Sequence, residues 1–243
     1  LELLNQGKSP IHEQGLDELL SQVGGRIRFI DDTPGAVRDA DVILIAVGTP
    51  QKDNGEADTR YVEEAAREVA EGLEPGRTYT LVVKSTVPIG TNRRVAHVVT
   101  KVLARRGVDA DVHFASNPEF LREGYALYDM FYPDRIVVGT ESEAALSALK
   151  ELYRPILEQS FAPPACIPMP KTRHQPPLVT TDPTSAEMIK YAANAFLAMK
   201  ISFANEIAGL CERVGADIVE VTRGIGLDSR IGPRFLGAGL GWG

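Results

Sequence analysis

Residues 41–50 read DVILIAVGTP. Residues 41–47 are a near-continuous apolar run, as expected of a strand covered on both faces. Gly48 permits close backbone approach and Thr49 offers a hydroxyl, either for a ligand or as an ordinary strand-ending turn. The same pattern recurs outward. Residues 27–30, 79–83, 112–115 and 135–138 are further short strand candidates. Between them, residues 59–73 place Val62, Ala65, Ala66, Val69 and Ala70 at helical spacing and stop at Pro75-Gly76. Residues 91–106 are helical up to Gly107, and 143–157 are helical again. Strand–helix alternation predicts an α/β protein with a parallel sheet and right-handed crossovers.

The bulk numbers narrow the class. The chain has 243 residues, is 44% apolar and carries a net charge of −7. That is ample for a real core. No basic run argues for nucleic acid, and no apolar run nears the roughly 18 residues of a membrane span. Cys166 and Cys211 are far apart in sequence and form no metal motif or disulfide framework, so a reduced, cytoplasmic protein is expected. The first ten residues, LELLNQGKSP, lack a signal-peptide core, and Leu1 to Leu4 read as the end of a helix begun earlier. The other end stops in GAGLGWG. The chain is therefore expected to be an internal piece of a longer protein.

Residues 161–181 break the alternation. Their prolines, with Lys171, Arg173 and His174, predict a linker or extended surface loop and no packed element. A long helical pattern follows over 184–213, where Lys190 and Asn194 are four apart and project from one face among Met188, Ile189, Tyr191, Ala195 and Leu197. An ammonium in an apolar wall calls for an anion opposite. A snorkelling surface lysine is the plainer alternative. Residues 216–224 suggest one more short helix with Asp217 as N-cap.

In an open α/β sheet the turns that follow strands face the ligand. Besides 47–50 there are two more. Residues 84–88, KSTVP, carry Ser85 and Thr86, which could position a nucleotide or a water, or cap the helix beginning near Gly90. Residues 117–124, NPEFLREG, carry Glu119 and Glu123, which one helical turn would set side by side. Confined carboxylates raise one another's pKa and suit acid/base work; two solvated surface acids are the alternative. Phe120 and Leu121 suggest a turn tucked into a cleft. No GxGxxG occurs, since Gly224-Ile-Gly-Leu-Asp-Ser229 fails at its last position. The four histidines stand in unrelated contexts and suggest no Ser–His–Asp arrangement.

Together these segments resemble the nucleotide-sugar dehydrogenases, in the branch that oxidises UDP-glucose. The matching stretches, in family order, are SPIHEQGLDELL, DVILIAVGTP, VVKSTVPIGT, SNPEFLREG, PDRIVVG, AEMIKYAANAFLAMKISFANEIAGLCERVGAD and GIGLDSRIGPRFLGAGLGWG. The resemblance implies an incomplete Rossmann-type doubly wound sheet over 1–160, the linker over 161–181, and the start of an all-helical dimerisation domain over 182–243. It implies NAD as cofactor, UDP-glucose as substrate, a homodimer, no metal, and a four-electron oxidation through a cysteine thioester. By position, Val47, Gly48, Thr49, Pro50, Gln51, Ser85, Thr86 and Val87 would border NAD, with Thr86 also organising the catalytic water. Glu119 would assist thioester hydrolysis and Glu123 would contact cofactor or substrate. Lys190 and Asn194 would hold the developing oxyanion. Phe120, Leu121, Arg122 and Arg230 would reach the sugar, the last across a dimer interface. Phe235, Leu236, Gly237, Gly239, Gly241 and Trp242 would wrap the diphosphate.

The family's first strand and phosphate loop would lie upstream of Leu1, and its nucleophilic cysteine beyond Gly243. The piece alone is therefore expected not to turn over. Losing the first strand would leave unpaired backbone groups on its neighbour. Two other readings stand beside this one: a sister enzyme acting on UDP-N-acetylmannosamine or GDP-mannose, and a non-catalytic binding or dimerisation module.

Overall fold

The computed structural model describes residues 1–240. Its contacts divide the chain into two units, Leu1–Met188 and Ile189–Gly243, and the division falls inside one helix. The first unit runs α1 (Glu2–Asn5), α2 (Leu16–Val23), a 3-10 turn (Gly24–Arg26), α3 (Thr33–Val37), β1 (Val42–Ile45), α4 (Arg60–Gly72), β2 (Thr78–Val83), α5 (Thr91–Arg106), β3 (Asp111–Ser116), α6 (Ala126–Phe131), β4 (Ile136–Gly139), α7 (Glu143–Leu157), β5 (Leu178–Thr181) and the first residues of α8 (Pro183–Val214). The rest of α8 and α9 (Ile218–Gly226) belong to the second unit.

The five strands lie in chain order, β1-β2-β3-β4-β5. β1, β2 and β3 are parallel, as the alternation predicts, and β4 and β5 are parallel to each other. The sheet is parallel-dominated, as expected, with one antiparallel step where β4 meets β3 through Ser116 and Gly139. A short apolar run sets burial but not direction.

Two further expectations are corrected. Residues 27–30 do not form a strand. Ile27 has extended dihedrals (φ −116, ψ 137), yet no described strand pairs with it. Conversely, the end of the proline-rich segment is packed: Leu178–Thr181 forms β5 on β4, and Ile167 is buried. Its Leu-Val-Thr-Thr run has strand propensity that the preceding prolines mask. β1 is also less covered than its apolar run suggests. It is one of the sheet's two edge strands, paired only with β2 among the described residues, and Leu44 is 43% exposed.

β2 shows how the layers arise. Successive side chains of a strand point to opposite faces. Tyr79, Leu81 and Val83 enter one buried cluster with Val62, Ala66 and Val69 of α4 and Val95 and Val99 of α5. Val82 enters the other, with Ala115, Ile136, Val138 and Ala145, Leu149 and Tyr153 of α7. Helices therefore cover both faces of the sheet, and each fully buried Leu or Val contributes about 1.5–3 kcal/mol. Glycines set two boundaries. Gly107 ends α5 in the left-handed conformation (φ 65). At Gly139 a Cβ would lie 2.5 Å from Ala186 Cβ and 2.7 Å from Asp182 O, so β4 and the start of α8 are in backbone contact.

A buried polar knot ties β2, β3, β4 and α7 together. Tyr153 donates its hydroxyl to Asn117 Oδ1 (2.5 Å), Lys84 Nζ donates to the same oxygen (3.2 Å), and Asn117 Nδ2 donates to Val137 O (2.7 Å). Burial pushes the Tyr153 hydroxyl from 10.0 up to about 12. Between those values the unfolded chain has lost this proton and the folded protein keeps it. The stability it confers is whole below about pH 10 and falls as pH rises toward 12. Alkaline unfolding should therefore release one proton through Tyr153. Tyr153→Phe should cost about 1–2 kcal/mol at pH 8 and flatten stability against pH over that window, as read by urea melts from pH 8 to 11.5.

In the second unit, Asp217 caps α9 through Val219 N (2.8 Å), as read from the sequence. Gly226 lets α9 pass close to Pro233, whose Cα would be 3.1 Å from a Cβ there. Leu236 is buried, Lys200 donates to Ile231 O (2.9 Å), and Asn205 clasps Gly239 through both its N–H (2.7 Å) and C=O (2.8 Å).

Candidate active site

The three turns singled out in the sequence leave the sheet from one rung. Ile45 pairs with Val83, and Val83 with Ser116, across three parallel strands. Gly48, Thr86 and Glu119 each lie three residues beyond that rung. The carboxyl ends of parallel strands are where open α/β sheets bind ligands.

The first two turns are laced together. Ser85 Oγ donates to Val47 O (2.6 Å), Thr49 Oγ1 donates to Thr86 O (2.7 Å), and Lys84 N donates to Ile45 O (2.8 Å). Ser85 and Thr86 therefore do not cap α5. Its N-cap is Gly90, and Glu187 accepts the amides there (2.6 Å from Gly90, 2.8 Å from Asn92). Val87 is buried, Gly48 and Pro50 are exposed, and Gln51 bridges to Ala57. Beside them lies an open cleft of about 400 Å³ lined by Val47, Gly48, Pro50, Tyr61, Glu64, Ala65 and Glu68. A Cβ at Gly48 would meet nothing within 4 Å, so the strand end stays open. The apolar lining and two acceptor carboxylates fit a flat ring and sugar hydroxyls. They do not fit a diphosphate.

The third turn is not helical. Residues 117–122 carry no regular structure, and Gly124 takes φ 78 in the turn that follows. Glu119 is half-buried and folds back, its Oε2 accepting Leu121 N at 2.6 Å. Glu123 is exposed, so the two acids do not share a helical face. Phe120 and Leu121 are half-buried, and the Arg135 guanidinium stacks 3.8 Å from the Phe120 ring centroid. Arg122 is bound to Asp129 (2.6 Å), which raises the guanidinium pKa.

In the second unit, Lys190 is 6% exposed, while Asn194, one turn on, is exposed. The apolar wall expected around Lys190 is itself open: Met188 is 50% and Tyr191 37% exposed. Arg230 is exposed and grips Asp228 with Nε (3.0 Å) and Nη2 (2.6 Å), which holds that carboxylate below its usual pKa. Phe235 takes φ 62, rare for a bulky residue. Leu236 is buried beside it, and Gly237 and Gly239 are exposed. Gly241 and Trp242 lie outside the described residues.

Cys211 is buried, as its place in α8 suggested, and Cys166 is half-buried; both are free thiols. One arrangement the sequence did not suggest is present. His113 bridges Asp111 (3.1 Å) and Ser142 (2.9 Å). Alternation along β3 puts Asp111 and His113 on one face, and Ser142 Oγ accepts Ala145 N as the N-cap of α7. Asn117 and Glu187 were also missed. The signals were available: an asparagine closing a buried strand, and an acid one turn before Lys190. Among the described residues no cluster of His, Cys, Asp or Glu could hold a metal, and no helix is long and apolar enough to cross a membrane.

Residues 1–157 match the UDP-glucose/GDP-mannose dehydrogenase family, NAD binding domain, and residues 184–243 match that family's central domain. The chain belongs to this family. Residues 158–183, which hold the whole proline-rich segment, lie outside both matches. A UDP-glucose 6-dehydrogenase of Bacillus subtilis (strain 168) is 46% identical over 99% of this chain and 50% of its own length. The solved UDP-glucose dehydrogenase of Pyrobaculum islandicum matches with a TM-score of 0.85 at 44% identity, over 100% of this chain and 52% of that one. A GDP-mannose dehydrogenase from Pseudomonas aeruginosa matches with a TM-score of 0.80 at 38% identity, over 93% and 49%. The chain spans about half the length of the curated relatives it matches.

Proposed function

We propose that this chain is part of a dehydrogenase that oxidises the C6 hydroxyl of UDP-glucose to a carboxylate, with two NAD molecules reduced in turn. The rung carries the reading: Gly48, Thr86 and Glu119 leave three parallel strands in step. The 46% identity to a UDP-glucose 6-dehydrogenase supports this sugar over GDP-mannose. NAD, when bound, accepts the hydride. Val47 to Gln51 and Ser85 to Val87 would border the cofactor. Thr86 orients a water, and Glu119 takes that water's proton. Lys190 and Asn194 stabilise negative charge on the sugar oxygen. Arg230 reaches the sugar, and the segment from Phe235 onward wraps the diphosphate. Glu123, exposed here, is at most a peripheral contact.

The test is stoichiometry. Full-length protein should form two NADH per UDP-glucose and none with GDP-mannose. The 243 residues alone should form none, because the resemblance puts phosphate loop and nucleophile outside them. One NADH per sugar would refute the four-electron reading, and turnover of GDP-mannose alone would favour the sister enzyme.

A homodimer through α8 belongs to the same proposal. Phe196, Met199, Phe203, Leu210 and Val214 recur at helical spacing and are each at least 50% exposed. Such a stripe calls for a partner. Sedimentation should show a dimer for the full-length protein, and Phe203→Glu should shift it to monomer by at least about tenfold in Kd. An unchanged dimer would remove this face from the interface.

A further inference from the structure

Glu187 is 3% exposed. Its Oε2 accepts the amide of Gly90 at 2.6 Å and its Oε1 that of Asn92 at 2.8 Å. The first amides of a helix lack intrahelical partners. Gly90, at the N-cap of α5, has no side chain to offer them and takes φ 88. The cap is therefore supplied from α8, 97 residues away. A carboxylate there meets the positive end of the helix dipole and makes charge-assisted bonds. Without those amides its burial would be costly.

The segment from Lys84 to Gly90 is thus fastened at both ends. Near the sheet it is laced to the first turn through Ser85 and the Thr86 carbonyl. At the far end Thr91 Oγ1 closes on Pro88 O (2.6 Å), and Glu187 holds the α5 amides. Thr86 is held at the near fastening through its own carbonyl, and Glu187 fixes the other end of the same segment, four residues on. We infer that Glu187 is a positioning residue: by clamping the start of α5 to α8 it sets where Thr86 stands. This rests on the proposed role of Thr86; Glu187 itself is assigned no contact with substrate or cofactor.

The full-length protein tests this with two readouts. In the wild type, the Gly90 and Asn92 amides should exchange with deuterium at least about tenfold more slowly than amides at a helix start that lack a side-chain acceptor. Glu187→Gln keeps one acceptor oxygen and loses the other. It should release that protection while the rest of the exchange map stays put. It should also lower kcat about 10- to 100-fold, with KM for UDP-glucose held within about threefold, as a displaced catalytic group does. Glu187→Asp, charged but shorter, should fold and fall between the two. Unprotected wild-type amides would overturn the clamp. So would a kcat within about twofold of wild type in both variants, or a loss that only tracks global unfolding. If wild-type protein formed no NADH from UDP-glucose, the functional reading would fail on its own, and amide exchange would still decide whether Glu187 clamps the segment.

Discussion

Replacing Lys190 with methionine is expected to lower kcat for UDP-glucose oxidation by about 10²- to 10³-fold, the usual loss when a preorganised stabiliser of an oxyanion is removed. The substitution is chosen to separate charge from packing. Lys190 is 6% exposed, so alanine would open a void as well as remove the ammonium. Methionine fills much of the same volume. The variant should keep a cooperative melt while NADH formation at saturating sugar collapses. Arginine should not rescue, because a planar guanidinium cannot replace a compact point charge in the same space. A kcat within about threefold of wild type would move Lys190 out of the chemistry and leave it a buried structural cation.

Gly139→Ala should damage the fold severely for so small a substitution. The new methyl would meet Ala186 Cβ at 2.5 Å, Asp182 O at 2.7 Å and Pro183 Cα at 2.9 Å. None of these is the loose end of a flexible side chain. Either β4 leaves the sheet or the start of α8 backs away from it. Overpacking of this kind costs about 3 kcal/mol, or roughly 6–12 °C in melting temperature for a chain of this size. Glu187 lies one residue beyond Ala186, so its hold on the α5 amides should loosen in the same variant. Gly209→Ala is the contrast. That glycine lies inside α8, where a Cβ meets nothing within 4 Å, and the change should stabilise by about 1 kcal/mol. If both variants melted alike, the reading of Gly139 as a point of backbone contact would be wrong.

What could be read from the sequence was local. Residues 143–157 and 91–106 were expected as helices and are α7 and α5, because apolar spacing and the left-handed stop at Gly107 are written within the segments. Asp217 announced its cap for the same reason. What could not be read was nonlocal. Residues 27–30 have a strand's composition, but a strand needs a neighbour, and no described one pairs with them. β4 reverses direction against β3, which hydrophobicity does not encode. β5 was hidden behind prolines that end just before it. At the candidate site the three turns were legible as ends of buried runs. Their common rung was not, since register is a property of pairing. Glu119 and Glu123 were joined on a helical turn that the segment does not form. Glu187 escaped because its partners are more than 90 residues away.

The position of β1 on the rim of the sheet has a practical consequence. One side of its ladder carries amide hydrogens and carbonyls that no described strand receives, and Leu44 lies beside them at 43% exposure. Such a rim is a template on which any extended backbone can zip, including that of a neighbouring molecule. Dilute handling, or a lysine placed at Leu44, would keep copies of these 243 residues from stacking rim to rim during purification.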